Sequence, residues 1–351
     1  MRETIPAMRL KINNLIGGRF STEKISEVFP ASFFRFRKFF QATAFSESLP
    51  GQKIFLFIFI LFLAASSISY PQEREFQDAL GHKVRLPSSP SRIVSLAPNL
   101  TEILFSLGLN QEIIGVTRFC DYPEEARQKE VIGGLVDINL EKIHSLHPDL
   151  ILGYRGNPKR VIEHLYREGL PVYVFDAGRT FEDLFHLIRT TGELTSRQKQ
   201  ADELISRLKK QIEAIEQTLP AGGKPVKVFL TLYGQGSGLW TCGGDSYLSF
   251  LLEKTRAHNI ASSLPGNWLV YNREKLLQEN PEIVLILCRP ESSEKARSWF
   301  LSSPVLGKIQ AARSGNIYTL DEDLFSRFSP RLVEAFRALA ETIYKDGAQE
   351  R

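Results

Sequence analysis

Cysteine is scarce in this 351-residue chain. The three cysteines, Cys120, Cys242 and Cys288, lie far apart, and no two of them share a short spacing. Disulfide frameworks and cysteine-rich zinc sites depend on regular short spacings, so the sequence predicts neither. If the chain folds in an oxidising compartment, two of the cysteines could form one disulfide. The simpler interpretation is that all three are isolated small apolar side chains.

Motifs of catalysis are also missing. No GxxxxGK[ST] phosphate loop is present, so any ATP hydrolysis must lie in a partner, and there is no Gly-x-Ser-x-Gly elbow. His144 and His147 share one face of a short predicted helix, but no third ligand joins them. The run Gly234-x-Gly236-x-Gly238 follows a strand, yet its third glycine comes too early for a dinucleotide fingerprint. We therefore expect a protein that is not an enzyme and has no bound cofactor or metal.

One unbroken apolar run, residues 54–65, follows Lys53 and precedes small residues. This pattern predicts a cleaved signal peptide and an extracytoplasmic, periplasmic location. A helix of twelve residues rises about 18 Å, which is too short to span a bilayer core of roughly 30 Å. An uncleaved N-terminal membrane anchor is therefore only the second interpretation. No cysteine follows the run that could carry a lipid. Because some 50 residues precede it, we expect translation to start near Leu49.

Excess positive charge is confined to the leader. Residues 1–69 contain 9 of the 44 Lys and Arg but 4 of the 40 Asp and Glu, which leaves the rest of the chain with a net charge of −1. The mature chain therefore lacks the basic surface of a nucleic-acid-binding protein. No nucleic-acid partner is expected.

Predicted strands and helices alternate after a polar lead-in at residues 70–90. The predicted strands are residues 92–97, 113–117, 150–152, 172–175, 226–232, 283–287 and 317–320. Short apolar strands separated by helices of 8–12 residues predict an α/β fold with a mostly parallel sheet covered on both faces.

One predicted helix, residues 195–219, is much longer than the others. Thr195-x-x-Gln198 resembles a capping box, and apolar residues follow at spacings of three and four. A helix of this length exceeds what a crossover needs, so we expect it to be a stiff bridge between two lobes. The predicted organisation is a leader (1–69), an N-terminal α/β lobe (70–194), the bridging helix (195–219) and a C-terminal α/β lobe (220–351).

An internal repeat supports two related lobes. Asn139-Leu-Glu141 and Asn272-Arg-Glu274 each precede a short helix, a proline nine residues after the asparagine, and an apolar strand. Each copy predicts an asparagine N-cap with an acidic residue in the first helical turn.

The candidate site is the set of loops that follow the strands, because ligands of open α/β sheets bind beyond the strand carboxyl ends. Aromatic and polar side chains occupy these loops in both halves of the chain. The candidate ligand-binding residues are Pro98, Asn99, Phe119, Asp121, Tyr154, Arg155, Tyr233, Trp240, Trp268, Asp323, Phe325 and Arg327. Such loops suit a large, flat, partly apolar ligand, although single rings such as Phe119 or Phe325 could instead pack beneath their loops.

Several of these segments resemble the periplasmic cobalamin-binding proteins and their ferric-siderophore- and haem-binding relatives, the long-helix class of ABC-importer binding proteins. The similar segments include residues 92–98 with Thr101-Glu102, residues 121–123, residues 139–141, residues 154–156 and residues 325–331. The resemblance covers residues 90–345. It implies two lobes that open and close little, with an ABC permease and its ATPase subunits as partners of a monomeric binding protein.

The resemblance also implies roles for individual residues. Glu141 and Glu274 match the acidic residues, one per lobe, that dock on arginines of the permease. Cobalamin is the expected ligand, and a ferric siderophore or haem is the alternative. Two departures weaken the aromatic surface, because Leu135 and Tyr154 stand where the cobalamin type has tryptophan. Four arginines could serve an anionic ligand: Arg118, Arg155, Arg289 and Arg327.

Overall fold

The structure, a computed structural model, describes residues 73–236 and 238–345. The predicted signal peptide, the alternative anchor and the upstream segment lie outside these residues. Within the described part of the chain, no helix has the length and apolar character needed to cross a bilayer.

Four parallel strands form the first sheet, in the order β4-β3-β5-β6. They are β3 (Ile93–Ser95), β4 (Ile113–Val116), β5 (Leu150–Tyr154) and β6 (Val172–Phe175). Helices α1 (Pro98–Ser106), α2 (Leu140–Ser145) and α3 (Lys159–Arg167) lie between them, with a 3-10 turn at Glu124–Gln128. The predicted strands and helices of this half are present, with ends that differ by one or two residues.

A β-hairpin precedes this sheet where the sequence predicted only a polar lead-in. Its strands are β1 (Arg74–Gln77) and β2 (Lys83–Leu86), which pair antiparallel. The buried Asp78 carboxylate accepts hydrogen bonds from the backbone of Leu80 and His82 and from the Tyr166 hydroxyl. Ala79 N donates to Val174 O of the edge strand β6. The hairpin turn thereby covers an edge that would otherwise be open to pairing.

The predicted capping box at Thr195 is wrong. The hydroxyl of Thr195 donates to Thr191 O inside α4 (Phe181–Thr195), and the actual capping box joins Thr180 to Asp183 at the start of that helix. Ser196 then adopts a left-handed conformation (φ 57°), which ends α4. The long helix α5 (Gln198–Thr218) follows without a side-chain cap. The sequence pattern predicted that a single helix begins at Thr195. In the structure α4 ends at that residue, and α5 begins three residues later.

Helix α5 packs on helices from both ends of the chain. Its buried residues recur at spacings of three and four, as predicted: Ala201, Leu204, Ile205, Leu208, Ile212 and Ile215. They face α4 and the last helix, α11 (Leu332–Ile343). A continuous core cluster includes residues of α5 and of both sheets, among them Leu152 and Leu230.

The second sheet is mixed, with the strand order β10-β8-β7-β11-β12 and β9 beside β7. Its strands are β7 (Lys227–Leu232), β8 (Leu239–Cys242), β9 (His258–Asn259), β10 (Trp268–Tyr271), β11 (Ile283–Cys288) and β12 (Ile317–Asp321). The β7, β11 and β12 strands are parallel, whereas β8 runs antiparallel to both of its neighbours, β7 and β10. The sequence analysis missed β8, β9 and β10, since β8 is only four residues long and follows a glycine-rich loop.

Short helices connect these strands. They are α6 (Tyr247–Lys254), α7 (Arg273–Glu279), α8 (Ser293–Leu301), α9 (Gln310–Arg313) and α10 (Glu322–Phe325), with 3-10 turns at Pro290–Ser292 and Leu306–Lys308. We refer to residues 73–195 as the N-terminal half and to residues 220–345 as the C-terminal half. The α/β fold predicted from the sequence, with two largely parallel sheets and a long helix, is confirmed.

Both copies of the internal repeat have the predicted caps. Asn139 Oδ1 accepts a hydrogen bond from Lys142 N at 2.9 Å at the start of α2. Asn272 Oδ1 accepts from Glu274 N and Lys275 N, at 2.7 and 3.0 Å, at the start of α7. Each capped helix leads to a buried parallel strand, β5 or β11. The two segments therefore repeat a local structure as well as a sequence pattern.

Candidate functional site

Helix α1 begins directly beyond the carboxyl end of β3. Pro98 occupies the first turn of this helix, where the backbone N–H groups have no partner within the helix, so the lack of an N–H in proline costs no hydrogen bond. Pro98 and Asn99 are half-buried. Asn157, a residue that the sequence analysis did not select, is 6% exposed. Its side chain donates to Leu96 O at 3.0 Å and accepts from Tyr154 N at 2.9 Å. Asn157 therefore fixes the ends of β3 and β5 relative to each other.

The loop after β4 presents an exposed ring. Phe119 is 47% exposed, so its ring does not pack beneath the loop. The neighbouring Arg118 forms an ion pair with Asp137 at 2.6 Å, and this hydrogen bond holds the pKa of Asp137 below its usual range. The loop at residues 117–122 is thereby attached to the turn at residues 133–138.

Tyr154 ends β5 with its ring half-buried against the core, and burial raises its pKa. A side chain at Gly156 would place a Cβ atom in steric overlap with that ring, so glycine is required there. The adjacent Arg155 is exposed, but its guanidinium is bound to Asp176 at 2.8 Å and to Ala79 O at 2.9 Å. The hydrogen bond from Arg155 lowers the pKa of Asp176.

In the C-terminal half, two tryptophans share one face of the sheet. Trp240 on β8 lies opposite Val270 on β10, and Trp268 precedes Val270 by two residues. Side chains two apart on a strand point to the same face, so all three lie together. Tyr233, after β7, is half-buried and makes an edge contact with Trp299, with ring centroids 5.6 Å apart.

Arg327, a candidate ligand-binding residue, holds its guanidinium in a buried network of ion pairs. Its side chain is 8% exposed and contacts Glu102 at 3.0 Å, Asp121 at 2.5 Å and Asp323 at 3.3 Å. The Glu102 side chain is 2% exposed and also accepts from the Ser329 hydroxyl at 2.6 Å. Burial raises the pKa of Glu102, and the hydrogen bonds from Ser329 and Arg327 oppose that rise. A buried guanidinium needs such partners, because an unpaired charge there would be strongly unfavourable.

Phe325 was predicted to belong to the ligand-facing surface, and this placement is wrong. Its side chain is 1% exposed and is part of the main core. The short helix α10 turns the ring inward, while its carbonyl accepts from the Tyr247 hydroxyl at 2.7 Å. Asp323, by contrast, has a 61% exposed side chain beside Arg327.

Further contacts join the two halves near these loops. The guanidinium of Arg331 lies over the Tyr122 ring, 4.0 Å from its centroid. A Cβ atom on Gly178 would overlap the Phe328 ring, and that ring packs against Tyr247 with centroids 5.5 Å apart. Sequence reasoning missed Gly178 and Phe328, since neither carries a chemical signal apart from small or apolar character.

No metal site is evident among the described residues, in which no group of three or more His, Cys, Asp or Glu side chains is suitably arranged. Cys120, Cys242 and Cys288 are buried and unpaired. A groove of about 680 Å³ lies along α5, away from the strand ends, and charged side chains such as Arg207, Lys210 and Arg337 line it. Nothing in its lining matches the features of the strand-end loops.

Comparison with known proteins places this architecture in a family. The profile of the periplasmic binding protein family matches residues 93–324. The vitamin B12-binding protein of Pectobacterium atrosepticum is 31% identical over 254 residues, which cover 70% of this chain and 86% of that protein. The ABC transporter substrate-binding lipoprotein YvrC of Bacillus subtilis is 29% identical over 280 residues, 78% of this chain and 86% of that protein.

Solved structures agree in fold. A possible iron-binding, periplasmic solute-binding protein from Staphylococcus epidermidis has a TM-score of 0.65 at 28% identity, over 73% of this chain and 99% of that one. The haem-binding protein RhuT from Roseiflexus has a TM-score of 0.66 at 23% identity, over 73% and 98%. The resemblance predicted from the sequence is confirmed. The chain belongs to the periplasmic binding protein family, the non-enzymatic substrate-binding proteins of ABC importers.

Proposed function

We propose that the protein captures a corrinoid such as cobalamin between its two halves and delivers it to the permease of an ABC importer. The rings of Phe119 and Tyr154 in the N-terminal half and of Trp240 and Trp268 in the C-terminal half supply the apolar contacts. Loop amides after Pro98 meet the polar rim. Aromatic walls with a few polar groups are typical of sites for large ligands.

The observation that carries the choice of a corrinoid is the pairing of the arginines beyond the strand ends. Arg118 is bound to Asp137, Arg155 to Asp176, and Arg327 to three carboxylates. A fourth, Arg289, acts on Glu322, whose pKa burial raises and Arg289 lowers. Three of the four arginines that could serve an anionic ferric chelate or the propionates of haem are therefore already paired with carboxylates.

A corrinoid fits this balance of charge. Its periphery consists mainly of neutral amide side chains, which need hydrogen-bond partners rather than a net opposite charge. The similarity to vitamin B12-binding proteins at 30–31% identity supports the same ligand class. Haem or a ferric siderophore is the second candidate, supported by structural neighbours that are described as haem- and iron-binding.

Isothermal titration calorimetry with a panel of ligands tests this proposal. The exported protein is titrated with cyanocobalamin, haem, a ferric hydroxamate and a ferric catecholate under identical conditions. We expect a saturable 1:1 heat with cyanocobalamin and weaker or no binding of the anionic chelates. Tight binding of an iron chelate without binding of cyanocobalamin would refute the corrinoid assignment.

The division into lobes is part of the same proposal. We assign residues 70–194 and 220–351 to two α/β lobes and residues 195–219 to the helix that bridges them. The packing of α5 on both α4 and α11 supports this assignment. Together with the buried contacts of Arg327, it supports lobes that move little when ligand binds. We propose that the protein acts as a monomer, as the resemblance implies.

Glu141 and Glu274 are proposed to dock on the permease. Both are exposed, and each occupies the first turn of a helix capped by an equivalent asparagine. Acidic residues there also stabilise the helix, by about 0.3–1 kcal/mol, so a purely structural role is the competing explanation. Charge reversal of both should abolish uptake while ligand affinity stays unchanged. Glu163→Lys with Glu294→Lys, at other exposed first-turn or helical positions, is the matched control.

We also propose that residues 1–69 contain a cleaved signal peptide and that the mature protein works outside the cytoplasm. Similarity to an ABC transporter substrate-binding lipoprotein supports this location. N-terminal sequencing of the protein recovered from the cell envelope should give a start shortly after residue 65. An intact hydrophobic segment in that protein would instead favour the membrane anchor.

A further inference from the structure

Two valines are the most solvent-exposed large apolar side chains of the described residues. Val136 is 67% exposed and Val270 is 55% exposed. One lies in each half of the chain: Val270 is two residues from Trp268, and Val136 lies in the turn that the Arg118–Asp137 ion pair joins to the loop of Phe119. Single exposed apolar residues are common, so position rather than exposure must decide whether these two have a role.

Val270 lies within the aromatic surface of the C-terminal half. It pairs directly with Trp240 across β8 and β10 and shares its face with Trp268. A Cβ atom at Gly238 would lie 3.3 Å from both Trp240 Nε1 and Val270 Cγ1, so the absence of a side chain at Gly238 leaves the indole and the valine accessible side by side. A flat apolar group resting on either indole would also cover Val270.

Val136 occupies the tip of a turn in the N-terminal half. The turn is closed by the bridge between Gly133 and Ile138 and by the Arg118–Asp137 ion pair. Because Arg118 immediately precedes Phe119, the same ion pair connects the turn to the loop that carries the exposed ring. Val136 is thus presented by a fixed turn rather than by a free loop.

Both valines lie just ahead of a capped helix. Val136 stands three residues before the N-cap Asn139, and Val270 stands two residues before the N-cap Asn272. The offsets differ by one residue, so the two valines are not equivalent positions of the repeat, and each is assigned a role from its own surroundings.

We infer that Val136 and Val270 are apolar contacts for the bound ligand, one from each half. This inference rests on the proposed capture of a flat macrocycle between the halves and extends the ring contacts already assigned. The two valines cover apolar edges of the macrocycle next to the rings of Phe119, Trp240 and Trp268. Their branched side chains have little freedom to lose on binding.

Replacement of each valine by threonine tests the inference. Threonine keeps the shape but replaces one methyl group with a hydroxyl, and neither valine is buried in the free protein. Burial of about one methyl group predicts a roughly three- to tenfold rise in Kd for cyanocobalamin with Val136→Thr or Val270→Thr. The control is Leu80→Thr, at a 42% exposed residue in the β1–β2 turn, and it should leave the Kd unchanged.

The outcomes separate this inference from the proposed ligand. If wild-type protein binds haem or a ferric chelate instead of cyanocobalamin, the corrinoid proposal fails, and the three variants are titrated with that ligand. Weaker binding by the valine variants would still support the inference, and unchanged binding would overturn it. Unchanged affinity with reduced uptake would also overturn it, because the valines would then contact the permease.

Discussion

Glu102 and Arg327, 225 residues apart in the sequence, meet in a buried ion pair of 3.0 Å. Glu102 comes from the first helix after β3, and Arg327 comes from the segment after the last strand of the second sheet. The pair therefore connects the two ends of the folded chain beside the proposed ligand site.

Loss of Arg327 should leave the buried Glu102 carboxylate poorly paired, with only the Ser329 hydroxyl at 2.6 Å and Arg331 at 3.6 Å. We expect Arg327→Met to destabilise the protein by up to roughly 3–5 kcal/mol at neutral pH. The double variant with Glu102→Gln should be more stable than Arg327→Met alone, because it no longer buries a charge. Urea denaturation of the wild type and the three variants measures this double-mutant cycle. Strictly additive losses would show that the two side chains are not coupled.

The same variant should respond to pH in a defined direction. Burial raises the pKa of Glu102, so the folded state binds its proton more tightly than the unfolded state does. In Arg327→Met the shortest opposing ion pair is gone and Arg331 remains 3.6 Å away, so stability should rise more steeply than in the wild type as pH falls from 7 toward the unfolded pKa of about 4.3. Urea midpoints between pH 4.5 and 7 check this trend. A parallel profile for the wild type would contradict it.

The start of α4 should behave as a capped helix end. The Thr180 hydroxyl accepts from Asp183 N at 3.2 Å, and Thr180→Ala should cost about 1 kcal/mol. Thr195→Val removes only a hydroxyl that bonds within the helix, so it should cost less. Thermal unfolding of the two variants compares them. A larger loss of stability from Thr195→Val than from Thr180→Ala would instead support the N-cap at Thr195 that the sequence pattern predicted.

The ionised Asp183 carboxylate should stabilise the folded protein at neutral pH and lose this effect in acid. Burial opposes its ionisation, but hydrogen bonds from the backbone of Thr180 and Arg179 and from the Thr180 hydroxyl outweigh this and hold its pKa below the usual range. The stabilisation is present above the unfolded pKa of about 3.9 and is lost as pH falls through the folded pKa. Asp183→Asn should therefore flatten the acid limb of the stability profile. An unchanged acid limb would show that other carboxyl groups dominate it.

Gly178 should be intolerant of a side chain. The Phe328 ring packs where a Cβ atom on Gly178 would lie, so Gly178→Ala forces a shift between the two halves. We expect a loss of about 1–3 kcal/mol. Phe328→Leu should partly compensate in the double variant, and Gly222→Ala, where an added Cβ meets nothing within 4 Å, is the control. Equal stability of the two alanine variants would contradict this packing.

Much of the fold could be predicted because it depends on local signals. Alternating apolar strands and helices gave the order of most elements, and Asn139 and Asn272 were identified as caps from their spacing alone. Phe119 lies in the loop after β4, as the strand pattern predicted. These features depend on a few neighbouring residues, whose preferences act before any tertiary contact forms.

Several of the errors come from contact between distant segments. Arg327 looked like a cation for a ligand, but its partners Glu102 and Asp121 are more than 200 residues away. Phe325 lies beyond a strand end, yet a four-residue helix turns it into the core. Hairpin β1–β2 depends on Asp78 and Tyr166, which are 88 residues apart. No local pattern contains this information.

The most direct test of the account is a crystal structure of the exported protein with cyanocobalamin. We predict a single corrinoid between the halves, with Tyr154 on one side of the macrocycle and Trp268 on the other, and with the Glu102–Arg327 ion pair intact. A ligand that contacts only one half, or that binds in the groove along α5, would contradict the account.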